Sequence, residues 1–128
     1  MNLLLDTQLL LWAASAPDRL SASAREPLES GTNVPWFSSA SIWEVTIKAA
    51  LGRADFRVDP NLLYRGLLDN GYRELSITSR HAKGVHRLPP IHRDPFDRML
   101  VSQAEAEGML LLTADATVAR YPGPIQLV

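Results

Sequence analysis

The sequence predicts a three-layer α/β/α sandwich with a mostly parallel central sheet, folded as a single domain over residues 1–128. Two observations carry that expectation. Short, fully apolar runs alternate with segments of helical periodicity along the whole chain, the pattern of parallel strands buried on both faces. The length of 128 residues, with 46% apolar and 21% charged residues, suits one ordinary globular core and leaves no room for a second.

The elements follow in order. Leu3 to Leu5 is an apolar run that stops at Asp6, and a helical pattern runs from Thr7 to about Ala14. A second helix is expected from Ser21 to Glu29, ended by Ser30-Gly31. Val34 to Phe37 reads as a strand, and Pro35, which lacks a backbone donor, weakens it or places it at a sheet edge. In Ser39 to Leu51, the spacing of Ile42, Val45 and Ala49 predicts a helix that Gly52 can end. Asp59-Pro60 has the form of a cap followed by proline at the first helical position; that helix runs to about Asn70 and stops at Gly71. Glu74 to Ile77 is a third short strand. Thr78 opens a helix that Pro89-Pro90 closes. Asp94-Pro95 opens another, to Glu107, with Gly108 as its stop. Met109 to Leu112 is a buried-type strand, Asp115 to Arg120 a short helix, and Ile125 to Val128 a final strand. Crossovers between parallel strands should be right-handed.

Composition excludes several function classes. Thirteen basic against fourteen acidic residues give a net charge of −1, so any attraction to nucleic acid must come from a local patch. The absence of cysteine excludes disulfides, zinc–thiolate sites and thiol catalysis, and fits a reducing cytosol. The apolar start MNLLLDTQLLLWAA lacks a basic leader and is interrupted by Asp6, so it does not read as a signal peptide. No run approaches the roughly 20 apolar residues a membrane span needs. The expectation is a small cytoplasmic protein.

In open α/β sheets, sites form beyond the carboxyl ends of the strands. Asp6 directly follows the first strand, and Asp115 follows the Met109–Leu112 strand after Thr113-Ala114. Glu44 and Asp97 sit near the starts of helices that follow strands or caps. All four are expected on one edge of the sheet. Each also has a purely structural explanation. Asp6 and Asp115 can cap helices, Ser41 and Glu44 have capping-box spacing, and Asp97 suits the positive end of its helix. Those explanations place acids at helix starts but do not require them to converge. Convergence raises carboxyl pKa values by mutual repulsion unless a cation is present. Mg²⁺ takes oxygen ligands and needs only a few carboxylates, and such a site suits phosphodiester cleavage.

Four segments then carry a resemblance: Leu3-Leu4-Leu5-Asp6-Thr7, Ser41-Ile42-Trp43-Glu44-Val45, the run HRDPFDRML from His92 to Leu100, and Leu112-Thr113-Ala114-Asp115. In order and spacing the chain resembles the PIN-domain toxins of bacterial toxin–antitoxin pairs, the VapC-like family. The resemblance implies a PIN fold, cleavage of RNA (transfer RNA or ribosomal RNA), dependence on Mg²⁺ or Mn²⁺, a homodimer, and inhibition by a cognate antitoxin. It implies a catalytic quartet of Asp6, Glu44, Asp97 and Asp115, with Asp6, Asp97 and Asp115 on the metal and Thr7 and Thr113 in support. Asp94 resembles a family position too. It stands before Pro95 as a cap, whereas Asp97 aligns with the third acidic position through Leu100 and Ala104.

The window from Arg80 to Arg98 holds His81, His86 and His92 with Arg80, Lys83, Arg87, Arg93 and Arg98. Its functional reading is an RNA-contact patch, with Arg87, His92, Arg93 and Arg98 as contacts; its structural reading is a solvated face. No His pair has the spacing of a metal site. Trp12, Trp36 and Trp43 read as core or dimer-interface residues, and Lys48 and Arg53 as helix-end charges or RNA contacts. Apolar surface near Leu10 and Leu62-Leu63 is a candidate antitoxin groove. Two rival readings are a non-catalytic PIN-like protein that binds RNA or an antitoxin, and an acidic phosphoacceptor or phosphatase domain. The second is disfavoured by Gln8, where such domains carry a second acid, and by the lack of a lysine after the late strands.

Overall fold

A computed structural model describes residues 1–128. Five strands, β1 (Asn2–Leu5), β2 (Val34–Ser38), β3 (Arg73–Leu75), β4 (Leu110–Thr113) and β5 (Ile125–Leu127), form one sheet in the order β3-β2-β1-β4-β5. Every pairing is parallel. The helices are α1 (Thr7–Ser15), α2 (Ala22–Glu29), α3 (Ser39–Ala50), α4 (Pro60–Asp69), α5 (Ser79–Gly84) and α6 (Pro95–Glu107).

Side chains alternate across the sheet, and β1 shows why it has two cores. Leu3 and Leu5 point to one face, where they pack with Leu9, Leu10, Phe37, Val45, Leu63 and Leu67 from β2 and from α1, α3 and α4. Leu4 points to the other, packing with Leu100, Val101 and Ala104 of α6 and with Leu111, Val118 and Tyr121. The connections β1→β2 and β2→β3 run on the first face. The connection β3→β4, which reverses direction across the sheet, runs on the second. That change of face is what right-handed crossovers require when strand order reverses. The three-layer expectation therefore holds, with an entirely parallel sheet.

β2 is not an edge strand, because it pairs with both β1 and β3. Pro35 is tolerated for a local reason. In a parallel strand successive N–H groups point to opposite neighbours, and the Val34 N–H donates to Met1 on the β1 side. The Pro35 nitrogen thus faces the β3 side, where pairing begins only at Trp36. The segment after Thr78 is shorter than expected: α5 ends at Gly84 and a 3₁₀ turn, Val85–Arg87, completes it. Asp115 to Arg120 gives only a 3₁₀ turn, Val118–Arg120, and a further one at Pro17–Arg19 carried no sequence signal. β3 lies one to two residues earlier than expected and β4 one later.

Leu10 belongs to the core and not to an exposed surface, at 0% exposure, and Leu63, at 6%, joins the core from the floor of a groove. The open groove between α1 and α4 is lined by Leu62 and Leu63, as expected, and by Leu11 in place of Leu10. Trp12 and Trp36 are half-buried against the two cores. Trp43 is 59% exposed and meets Phe96 edge to face, so it is not a core residue.

Candidate active site

Chain order leaves β1 toward β2 and leaves β4 toward β5, so the strand order switches direction between the adjacent strands β1 and β4. A crevice at the carboxyl ends of the strands is expected there. Asp6 follows β1 and Asp115 follows β4 at that point. A cavity of about 290 Å³ opens over them, and its walls include Asp6, Thr7, Glu44, Asp94, Asp97 and Asp115. The acids of the sequence-predicted quartet thus share one cavity, with Asp94 as a fifth.

Each acid is held by local structure. Asp6 is the N-cap of α1: its Oδ1 accepts from the Leu9 amide at 2.8 Å. Its Oδ2 accepts from the Thr113 hydroxyl at 2.6 Å and the Ala114 amide at 3.0 Å, which joins the ends of β1 and β4. The Thr113 Oγ1 also accepts from the Asp115 amide at 3.0 Å and so fixes the start of the Asp115 turn. Asp115 Oδ1 accepts from the Thr117 amide at 2.8 Å.

Glu44 is buried, but not by a capping box with Ser41. The cap of α3 is Ser38, whose side chain accepts from the Ala40 amide. Helix α3 therefore starts three residues earlier than a Ser41 cap would place it, and Ser41 and Glu44 fall one turn apart on the inner face. The Thr7 hydroxyl donates to Glu44 Oε1 at 2.7 Å. Thr7 has a single hydroxyl proton, so Ser41, at 2.9 Å, must donate to it. Lys48 Nζ lies 2.9 Å from Glu44 Oε2, one turn further on.

On α6, Asp94 is the N-cap, its Oδ1 accepting from the amides of Phe96 and Asp97 at 2.8 and 3.2 Å. It also lines the cavity, with its other oxygen uncommitted to the cap. Asp97 Oδ2 lies 3.1 Å from His92 Nε2, which is also 3.8 Å from Asp115 Oδ2. His92 Nδ1 accepts from the Arg93 amide at 3.1 Å. In a neutral ring the proton then sits on Nε2 and points to Asp97. Ligand atoms of His92, Asp94 and Asp97 all lie within 4.8 Å of one another.

The electrostatics follow from crowding. Burial raises the Asp6 carboxyl above its ordinary value, with the charge of Asp115 adding to the rise. Hydrogen bonds from Thr113, Leu9 and Ala114 work against it. Asp97 is pushed up to about 7, first by burial, then by the charges of Asp94 and Glu44, with a lesser push from Asp6 and an opposing pull from His92. A divalent ion fits this donor set. Hard carboxylate oxygens converge from strand ends and helix starts, and their repulsion is only partly met by Lys48 and His92.

The expected cationic patch does not form as a unit. Arg98 turns inward. Its guanidinium donates to the carbonyls of Pro89, Val85 and His92 at 3.0, 3.3 and 3.4 Å and to the Tyr121 hydroxyl at 3.1 Å. The same hydroxyl accepts from the His92 amide at 2.8 Å, so Arg98 and Tyr121 fix the loop that carries His92. An arginine committed to carbonyls is not free for phosphate, and Arg98 is a loop anchor here. His81 is fully buried; its Nδ1 accepts from the Thr78 amide and its Nε2 lies 2.8 Å from Glu107. Arg80 reaches the Ala106 carbonyl, again a structural contact. Arg87 is exposed and lines a separate depression with Pro89 and Glu105. Arg93 is exposed beside His92.

Sequence reasoning did not single out Ser41 or Tyr121 as site residues, and did not place His92 on an acid of the quartet. Ser41 was visible as the residue one turn before Glu44. Tyr121 gave no signal, since its partner is 29 residues away. Lys48 had its signal in the four-residue spacing from Glu44.

Comparison with known proteins agrees with this architecture. A chain of the VapBC2 complex from Rickettsia felis, bound to a promoter DNA fragment, superposes with a TM-score of 0.73 at 16% identity, over 99% of this chain and 98% of that one. A chain of DNA-bound VapBC from Salmonella typhimurium does so at 0.69 and 17% identity, over 98% and 97%. At such identities the likeness shows the fold. No curated protein matches the chain in sequence. The family model described as PIN domain matches residues 3–124, which run from Leu3 in β1 to beyond Asp115, and the chain belongs to the PIN domain family.

Proposed function

We propose that this protein is a metal-dependent endoribonuclease, the toxin of a VapC-like toxin–antitoxin pair. The observation that carries the reading is the cavity at the β1/β4 switch point, where Asp6, Glu44, Asp97 and Asp115 meet and Asp97 is pushed up to about 7. Asp6, Asp97 and Asp115 would hold Mg²⁺ or Mn²⁺, with Asp94 beside them. When bound, such an ion neutralises phosphate charge and acidifies a water.

The residues of the chain do the rest. Thr7 and Lys48 hold the two oxygens of Glu44 from opposite ends, so that its remaining lone pairs face the cavity and can orient the attacking water and take its proton. The water oxygen bonds to phosphorus as the P–O3′ bond breaks, leaving a 5′ phosphate and a 3′ hydroxyl. Thr113 keeps Asp6 in place, and His92 fixes one oxygen of Asp97. Lys48 and Arg53 on the cavity wall, with the exposed Arg93 next to His92, supply positive charge for the RNA backbone. Transfer RNA and ribosomal RNA are the proposed substrates.

The partners proposed are a cognate antitoxin and a second copy of the chain. The open groove of about 260 Å³ along Leu11 and Leu62 fits an apolar antitoxin segment. Trp43, Ile47 and Leu51 form an exposed stripe at four-residue spacing on α3 and its end, which offers an apolar face for a homodimer. No helix is long and apolar enough to cross a membrane.

The test is cleavage of a mixed RNA pool by the wild type, Asp6→Ala and Asp97→Asn, each with Mg²⁺ or EDTA. Cutting by the wild type only with metal, and by neither folded variant, supports the site. Equal cutting by the variants refutes it. A folded wild type that binds RNA without metal but cuts nothing favours the binding-protein reading.

A further inference from the structure

A second depression, of about 440 Å³, adjoins the acid cavity and shares Asp6, Gln8 and Asp115 with it. Its other walls are Trp12, Ala114 and Ala116. Nothing in the proposed chemistry uses it. We infer that it is a nucleobase subsite, which receives the base of the nucleotide next to the scissile phosphate and reads it with Gln8. The inference rests on the ribonuclease reading above.

Four features support a base. The first is position: a chain whose phosphate lies over Asp6 and Asp115 has its neighbouring nucleotide at the common wall. The second is the aromatic wall. Trp12 packs on the core with part of its ring and lines the depression with the rest. Base–aromatic stacking is the usual way a protein holds an unpaired base. The indole N–H is buried with no hydrogen-bond partner, so packing alone sets the ring angle and a small rotation breaks no bond. The Arg19 guanidinium stands 5.6 Å over the indole, which brings a cation to the same place. The third is the small size of Ala114 and Ala116, which leave the space open. The fourth is Gln8. It is exposed in the first turn of α1, two residues after Asp6, and presents one donor and one acceptor in a plane. That pair matches adenine best, because adenine offers an amino donor beside a ring nitrogen acceptor on both its Watson–Crick and its Hoogsteen edge, where unpaired cytosine offers it on one. Gln8 thus selects, and Trp12 holds whichever base is present.

The test maps cut sites in a random-sequence RNA pool with Mg²⁺ for the wild type, Gln8→Leu and Trp12→Leu. In parallel, sequences are selected by binding to Glu44→Gln, which retains Asp6, Asp97 and Asp115, with and without Gln8→Leu. Adenine should be enriched several-fold at one position beside the cut. Gln8→Leu should flatten that position and no other. Trp12→Leu should raise KM about tenfold for all sequences with little change in kcat, since stacking is sequence-tolerant. Trp12→Phe, which keeps a ring, should recover most of that loss and covers the case in which Trp12→Leu does not fold. Cutting by the wild type without preference there, or a preference that survives Gln8→Leu, overturns the subsite while leaving the nuclease intact. If the wild type cuts nothing but Glu44→Gln still selects adenine through Gln8, the nuclease reading falls and the base contact stands without a scissile phosphate beside it. If it neither cuts nor selects, both fall.

Discussion

Replacing Asp97 by asparagine should make the metal-free protein more stable, and only above about pH 4. Asp97 ionises near its ordinary value in the unfolded chain but is pushed from 3.8 to about 7 in the folded one. Below pH 4 both states hold the proton and the residue costs nothing. Between 4 and 7 the unfolded chain releases the proton while the folded chain keeps it, so stability falls as pH rises. Above 7 both are ionised and the loss is complete. A rise of about three pH units corresponds to about 4 kcal/mol. Asparagine keeps the shape and can still accept from His92, but removes the charge that Asp94 and Glu44 repel. With the side chain 18% exposed, at least about half of that figure should be recovered, or about 2 kcal/mol. For a domain of this size that is a rise in Tm of about 6–10 °C. The assay is thermal unfolding followed by circular dichroism in EDTA at pH 4.5, 6 and 8. The gap between variant and wild type should be about a quarter of its full size at the lowest pH and full at the highest. Excess Mg²⁺ at pH 8 should then stabilise the wild type by about 2–3 kcal/mol if it exceeds Kd about a hundredfold, and leave the variant nearly unmoved. A variant that is less stable than wild type at pH 8 without metal, or a gap that does not change with pH, refutes the crowding argument.

Other perturbations separate support from chemistry. Thr7→Val removes the donor to Glu44 and leaves buried Ser41 without its acceptor; urea unfolding should show a loss of about 1–3 kcal/mol, with kcat falling more than KM rises. Arg98→Ala loses its contacts to the Val85, Pro89 and His92 carbonyls and to the Tyr121 hydroxyl together. It should cost about 2–4 kcal/mol by urea unfolding, and Arg98→Lys should not restore it, since a point charge cannot span all four. The salt dependence of RNA binding should stay as in the wild type, which distinguishes a loop anchor from a phosphate contact. Gly84→Ala would drive a methyl group into Ser102 Oγ and break its bond to the His81 carbonyl; a loss of about 1–3 kcal/mol by urea unfolding is expected, smaller in Gly84→Ala/Ser102→Ala.

The fold was largely legible because its signals are local. Asp59-Pro60 and Asp94-Pro95 open α4 and α6 as cap and first helical residue, and Gly108, at φ 67°, closes α6. The edge placement of β2 failed because a proline reports only a missing donor, and whether that donor has a neighbour depends on where β3 begins. Within the cationic window, Arg98 and His81 turn inward for a related reason. Side-chain charge is visible in sequence, but the direction of the side chain is set by distant partners: Tyr121 and the carbonyls of Val85, Pro89 and His92 for Arg98, and Glu107 for His81. Leu10 was misplaced because one helical step turns a side chain by about 100°, enough to exchange core for surface, and the groove takes its neighbour Leu11 together with Leu62 and Leu63.

Capping and metal binding looked like competing explanations for each acid, yet a carboxylate has two oxygens and about four acceptor positions. Asp94 uses Oδ1 for two amides of α6 and leaves Oδ2 for the cavity. Asp115 uses Oδ1 on the Thr117 amide, and Oδ2 faces His92. Asp6 caps α1 with Oδ1 while Oδ2 ties β1 to β4. For Asp94 and Asp115 these amides aim the other oxygen, because they fix the carboxylate plane relative to a rigid helix or turn; for Asp6 the Thr113 and Ala114 donors hold Oδ2 directly. The strand ends and helix starts of a parallel sheet therefore supply aimed acids as a by-product of ending and starting elements. What the sequence had to add was burial that destabilises their charged forms, as at Asp97, and enough acids at one switch point that a cation is the most direct way to relieve the repulsion.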